Sequence, residues 1–151
     1  MEMDQKIVEE QGMAITEIFA KFGEQHFRNL ETELIRSMQG KVPMVVSCGG
    51  GAVLRDENVA LMKSCGKIVL LTATPEAIFD RVKDSMDRPV LNGNMNVEYI
   101  AELMEKRRPK YEAAADLVIS TDMKNVREIC EEILQKLEKY QAREKHQMHK
   151  K

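Results

Sequence analysis

The sequence predicts a parallel α/β fold, a sheet of short strands joined through helices, and three observations predict it. Apolar runs rich in β-branched residues recur at 42–47, 68–71 and 117–120; they are too short for helices and continuous, as strands buried on both faces are. Between them lie stretches where apolar residues return at spacings of three and four, the helical period. Glycines or a threonine–proline pair stand where the first two runs give way to the next element, and such alternation describes a parallel sheet. No repeat and no long linker divides the chain, so residues 1–140 read as one domain and 141–151 as a polar tail.

Taken in order, Ile15, Ile18 and Phe19, then Phe27, Leu30, Leu34, Ile35 and Met38, place one apolar stripe on a helix or a closely joined pair of helices. The run 42–47 stops at Gly49, Gly50 and Gly51 and is expected as the first buried parallel strand. After the second run, Thr74, Pro75 and Glu76 are the N-cap, first-position proline and acidic first turn of a helix. Residues 85–96 carry Pro89, Gly93 and three asparagines without apolar periodicity, and are expected as a mobile surface loop. Ile100, Leu103, Met104 and Tyr111 mark a helix that Pro109 should end or kink. The third strand leads into a helix with Val126, Ile129, Cys130, Ile133, Leu134 and Leu137 expected inward. Residues 141–151 have no such stripe and are expected to fray.

Composition narrows the class of function. The 151 residues are 43% apolar and 32% charged, enough for one packed core. A net charge of −2 asks for neither nucleic acid nor an anionic membrane, leaving a small molecule as the partner. Cys48, Cys65 and Cys130 are odd in number and far apart, without the pairing of a zinc or thiol-exchange site, and read as reduced cytosolic thiols. The N-terminus is charged from Glu2 and has no apolar stretch for a signal or a span. A cytoplasmic protein is expected.

Several residues can carry chemistry. Gly49, Gly50 and Gly51 follow a strand at its carboxyl end, where ligands bind in open α/β sheets and where missing side chains let backbone amides approach an anion or hydroxyl; the plainer alternative is a tight turn. Arginine grips carboxylate or phosphate through two parallel hydrogen bonds. Arg28 lies between Phe27 and Leu30 on an inward face, where its charge is costly without an anion. Arg88 precedes Pro89 in the loop, where closure would bring a cation onto a transferring phosphate. Arg107 shares the face of Leu103, four residues earlier. Singly each is more often structural; together they describe an anionic pocket. Asp4 is placed to accept a proton from an attacking hydroxyl and Glu2 to hold a metal-bound water, unless the pair is an acidic helix cap.

The order of these blocks, GEQHFRNLE, then SCGGGAV, then DRPVLNG, then KRRPKYEAAADLVIST, resembles shikimate kinase along nearly the whole chain. The resemblance implies a three-layer α/β/α parallel sheet of the P-loop kinase type and transfer of the ATP γ-phosphoryl group to the 3-hydroxyl of shikimate in aromatic amino-acid biosynthesis, with magnesium, by a monomer. Asp4 matches the aspartate that binds the shikimate hydroxyl and serves as base. Arg28 and Arg107 match the carboxylate clamp, and Gly50 with Gly49 and Gly51 the cluster against the substrate ring. Arg88 matches the lid arginine on the ATP phosphates, Arg81 the arginine over adenine. Glu2 stands where the family has an aspartate near magnesium.

The family also opens with a strand and a G-x-x-x-x-G-K-[ST] loop that cradles phosphates. Here the only Gly-Lys pairs, Gly40-Lys41 and Gly66-Lys67, lack the earlier glycine and are followed by Val42 and Ile68. The resemblance implies a chain begun after that loop, with the sheet's central first strand missing from between the strands ending at Ser47 and near Leu71. Four or five fewer buried side chains forfeit roughly 6–15 kcal/mol, about a domain's whole stability. Poor stability and doubtful activity of these residues alone are therefore expected. The alternatives are a non-catalytic remnant that binds a small hydroxy acid, and a kinase of another small alcohol.

Overall fold

The computed structural model describes residues 1–84 and 96–148. Helix α1 (Met3–Gln11) begins at Glu2, whose carboxylate caps it, and ends at Gly12, which adopts the left-handed conformation (φ 65°) that glycine reaches without a Cβ penalty. The predicted stripe forms two helices, α2 (Ile15–Phe22) and α3 (Glu24–Ser37), joined at Gly23. Met3, Ile7, Ile18, Phe27, Leu34 and Ile35 from these three helices form the main core. Phe19 packs its ring 5.0 Å from that of Phe27.

The glycine run turns into a short 3-10 segment (Ala52–Leu54) and α4 (Asp56–Cys65). This turn is fastened to α3: Asn58 Nδ2 donates to the Ala52 carbonyl at 2.8 Å, and Asn58 Oδ1 lies 2.7 Å from the hydroxyl of Thr32. Asn58 and Thr32 are both buried, so the network fixes the turn against the helix that carries Arg28.

Strand β1 (Val69–Thr72) leads to α5 (Pro75–Val82), and Thr74 caps α5 through its hydroxyl with Pro75 in the first turn, as the sequence predicts. Helix α6 (Val97–Ala114) precedes β2 (Leu117–Ser120), and α7 (Val126–Met148) follows it. β1 and β2 pair in parallel, with Val69 opposite Leu117 and Thr72 opposite Ser120. The parallel α/β expectation holds. Ile68 N–H donates to Asp116 at one end of the pair, and the Thr121 hydroxyl donates to the Thr72 carbonyl at the other.

Four expectations are corrected. Residues 42–47 form no buried strand: they run past the start of α1, joined to it by bonds from Ser47 N–H to the Met1 carbonyl and from Met3 N–H to the Ser47 carbonyl. Val42 and Val45 are 80% and 90% exposed. A strand is defined by its ladder, and among the described residues nothing pairs with the other side of this segment. Secondly, of the two outcomes expected at Pro109, an end or a kink, the end is excluded, since α6 runs on to Ala114. Glu105, whose carbonyl loses its partner to the proline ring, is exposed to water, which can replace the missing bond. Thirdly, α7 forms as expected but buries none of its residues, Val126 being 78% exposed. Its sheet neighbour has only two strands, too narrow a floor for a 23-residue helix. Finally, the tail does not fray before Met148: Lys67 bonds Glu144 at 2.6 Å and lies over the ring of Tyr140. The loop expected at 85–96 lies outside the described residues except Asn96, which caps α6.

Among the described residues no helix is long and apolar enough to cross a membrane. Leu71 on β1 and Val118 on β2 are each about half exposed, so the sheet leaves apolar surface uncovered. The 151 residues by themselves are expected to give no cooperative melt above about 50 °C by circular dichroism; a sharp transition beyond that temperature would contradict this.

Candidate functional site

Each glycine of the run at 49–51 has a particular neighbour. A Cβ on Gly49 would lie 3.8 Å from Asp4 Oδ1, in ordinary contact. One on Gly50 would stand 2.5 Å from the Tyr111 hydroxyl and 3.5 Å from Arg107 Nη1. One on Gly51 would overlap the Arg28 guanidinium. Gly51 has φ −81°, ordinary for any residue, so here glycine is required for space and not for backbone conformation. The turn therefore brings together the carboxylate of α1, a cation of α3 and a cation of α6.

Their electrostatics differ. Arg28 donates to Glu31, which is 2% exposed, and to Glu24 at 3.1 Å. Burial works against the Arg28 charge, but Glu31 and then Glu24 more than offset it and raise its pKa. Glu31 is itself pushed up, by burial first and then by the nearby Asp4 carboxylate, against the pull of Arg28. Arg107 meets no carboxylate among the described residues; Nη1 donates to the Tyr111 hydroxyl at 3.4 Å. Around the turn stand Arg28, paired with Glu31 and Glu24, Arg107, without an ion pair among the described residues, and the carboxylate of Asp4, with Arg55 also near enough to Glu31 to act on it. A ligand with a carboxylate at one end and a hydroxyl at the other matches that set.

The structure brings Asp4, Arg28, Gly49, Gly50, Gly51 and Arg107 into one place. Glu2 is engaged otherwise: its two carboxylate oxygens accept from the amides of Asp4 and Gln5 at 3.2 and 2.7 Å, the capping alternative. Arg81, on α5, donates to the Thr121 hydroxyl at the carboxyl ends of β1 and β2, a separate group of contacts. Arg88 lies outside the described residues. Sequence reasoning missed Glu24, Glu31 and Tyr111. Their signal was present, since they stand four before Arg28, three after it and four after Arg107, where helical neighbours meet.

The parallel α/β fold, with its glycine turn met by arginines from two helices, is shared with solved structures that place the chain among small-molecule phosphotransferases of the P-loop type. The sequence model of one family, "SKI: Shikimate kinase", matches residues 1–138, and the chain belongs to the shikimate kinase family. The shikimate kinase of Geobacter sulfurreducens is 46% identical over 132 residues, covering 87% of this chain and 72% of that protein. That of Geobacter metallireducens is 44% identical over 137 residues, covering 91% and 76%. Among solved structures, shikimate kinase from Acinetobacter baumannii in complex with shikimate superposes with a TM-score of 0.85 at 29% identity, covering 90% of this chain and 76% of that one. The Aquifex aeolicus shikimate kinase gives 0.75 at 35% identity, covering 91% and 79%.

Proposed function

We propose that this chain binds shikimate at the glycine turn and presents its 3-hydroxyl for phosphorylation by ATP in aromatic amino-acid biosynthesis. One observation carries the reading: three successive glycines are faced by Asp4, by Arg107 and by Arg28 in turn. In it, Arg28 and Arg107 hold the substrate carboxylate, the turn's backbone lies against the ring, and Asp4 takes the hydroxyl proton. As the oxygen bonds to the γ-phosphorus, the bond to the β-phosphate oxygen breaks and its electron pair leaves with ADP. Arg81 and Arg88 are assigned to the nucleotide. The solved relative in complex with shikimate supports the choice of substrate. The reading places the protein in the cytoplasm as a monomer.

Magnesium is implied by the family. Glu2, which the resemblance sets near it, has both carboxylate oxygens engaged in capping α1; when bound, the ion would be held chiefly by the nucleotide phosphates and would offset their charge.

The sequence also carries no G-x-x-x-x-G-K-[ST] loop, so nothing in it cradles a triphosphate. A coupled ADP-release assay with shikimate is expected to give background rates for these 151 residues. Fusion behind the strand and phosphate loop of the Geobacter sulfurreducens enzyme is expected to restore turnover. Ordinary turnover without the fusion would overturn the nucleotide side of this account. A fusion active on another polyol acid but not on shikimate would overturn the substrate.

A further inference from the structure

We infer that Tyr111 is a positioning residue: its hydroxyl seats the Arg107 guanidinium over Gly50 and thereby sets the preference for a ligand carrying a free carboxylate. The inference rests on the binding site assigned above and adds to it. The two arginines of the pocket are not equivalent. Arg28 already has Glu31 and Glu24 as partners, so its charge is balanced before any ligand arrives. Arg107 makes no ion pair among the described residues, so its charge is not offset by a neighbouring carboxylate there. An unpaired guanidinium on a long side chain is mobile unless something fixes it. Tyr111 is that group. It lies one helical turn beyond Arg107 on α6, accepts from Nη1 at 3.4 Å, and presses its hydroxyl so close to Gly50 that a Cβ there would stand only 2.5 Å away. The hydroxyl is therefore wedged between a backbone that cannot yield and the cation it orients, and phenylalanine would keep the ring while removing the wedge. The glycine at 50 is in turn explained by the tyrosine, since the next ring atom, Tyr111 Cζ, would sit at an ordinary 3.6 Å from the added Cβ.

The test titrates shikimate and, separately, its neutral methyl ester into the full chain by calorimetry. Tyr111→Phe is expected to weaken shikimate binding about tenfold and ester binding less than about twofold, as loss of one bond to a charged group implies. Arg107→Ala should abolish the preference for the acid. Gly50→Ala approaches the same contact from the other side and should also lower the preference, with partial recovery of ester binding in Gly50→Ala/Tyr111→Phe, where the Cβ has room. It serves as the test if Tyr111→Phe does not fold. Unaltered acid preference in folded Tyr111→Phe or in folded Gly50→Ala overturns the inference while leaving the site intact. A native chain that binds neither compound overturns the site itself, and the inference with it.

Discussion

Alanine at Gly51 is expected to weaken shikimate binding about 100-fold and to lower stability as well, because the displaced guanidinium is the partner of buried Glu31. The added methyl group would occupy the volume now held by the Arg28 guanidinium. That group is the far end of a flexible side chain, so the chain can accommodate the methyl by moving it; what it cannot do is keep the guanidinium where the turn presents it. Losing one well-placed charged donor costs about 1.5–3 kcal/mol, roughly 10–100-fold, and displacement of a two-pronged grip sits at the upper end. Gly49→Ala is the matched control, since its nearest neighbour, Asp4, would remain at 3.8 Å. Calorimetric titration of both variants checks the contrast, and equal losses in the two would contradict it.

Arg28→Ala is expected to damage binding and stability together, by about 100-fold and about 3 kcal/mol. Glu31 is buried, and removing Arg28 strands its carboxylate in the protein interior. Burial already pushes that carboxyl up, and losing the pull of Arg28 raises it further, since of its neighbours only Arg55 then still lowers it. A group whose folded pKa is raised favours the folded state below its unfolded value, near 4.5, and loses that contribution as pH rises through the folded value. The stability deficit of Arg28→Ala should therefore be smaller at acidic pH than at neutral pH. Adding Glu31→Gln should recover most of the stability but none of the binding. Arg107→Ala, which strands no carboxylate, should lose binding with stability unchanged to about 1 kcal/mol. Urea midpoints at two pH values, taken on the chain fused behind the strand and phosphate loop of the Geobacter sulfurreducens enzyme, decide it; equal behaviour of the two arginine variants would remove the distinction drawn between them.

Much of this was legible in the residues. The cap of α5 at Thr74 and the pairs of apolar runs that became β1 and β2 are local signals, complete within a few positions, and they were read correctly. Arg28 and Arg107 were legible because a cation on an apolar helical face is an anomaly that demands an explanation. Glu31 and Tyr111 were overlooked because neither is anomalous alone: one is a glutamate in a charged helix, the other an aromatic on an apolar stripe, and only contact with the glycine turn or its arginines gives them a role. The segment 42–47 failed for a different reason. β-Branched composition reports a preference for extended backbone, whereas burial depends on what lies alongside, and that is not written in the segment itself. For α7 the periodicity correctly named a face, but how deeply a face is buried depends on the width of the sheet beneath it.

The central claim is that the glycine turn gathers Asp4, Arg107 and Arg28 around a single ligand. It is tested most directly by a crystal structure of the chain with shikimate bound. The account predicts the carboxylate of the ligand against Arg107 and Arg28, the ring over residues 49–51, and a hydroxyl within hydrogen-bond reach of Asp4. Shikimate seated elsewhere, or seated here with its carboxylate turned away from both arginines, would contradict it.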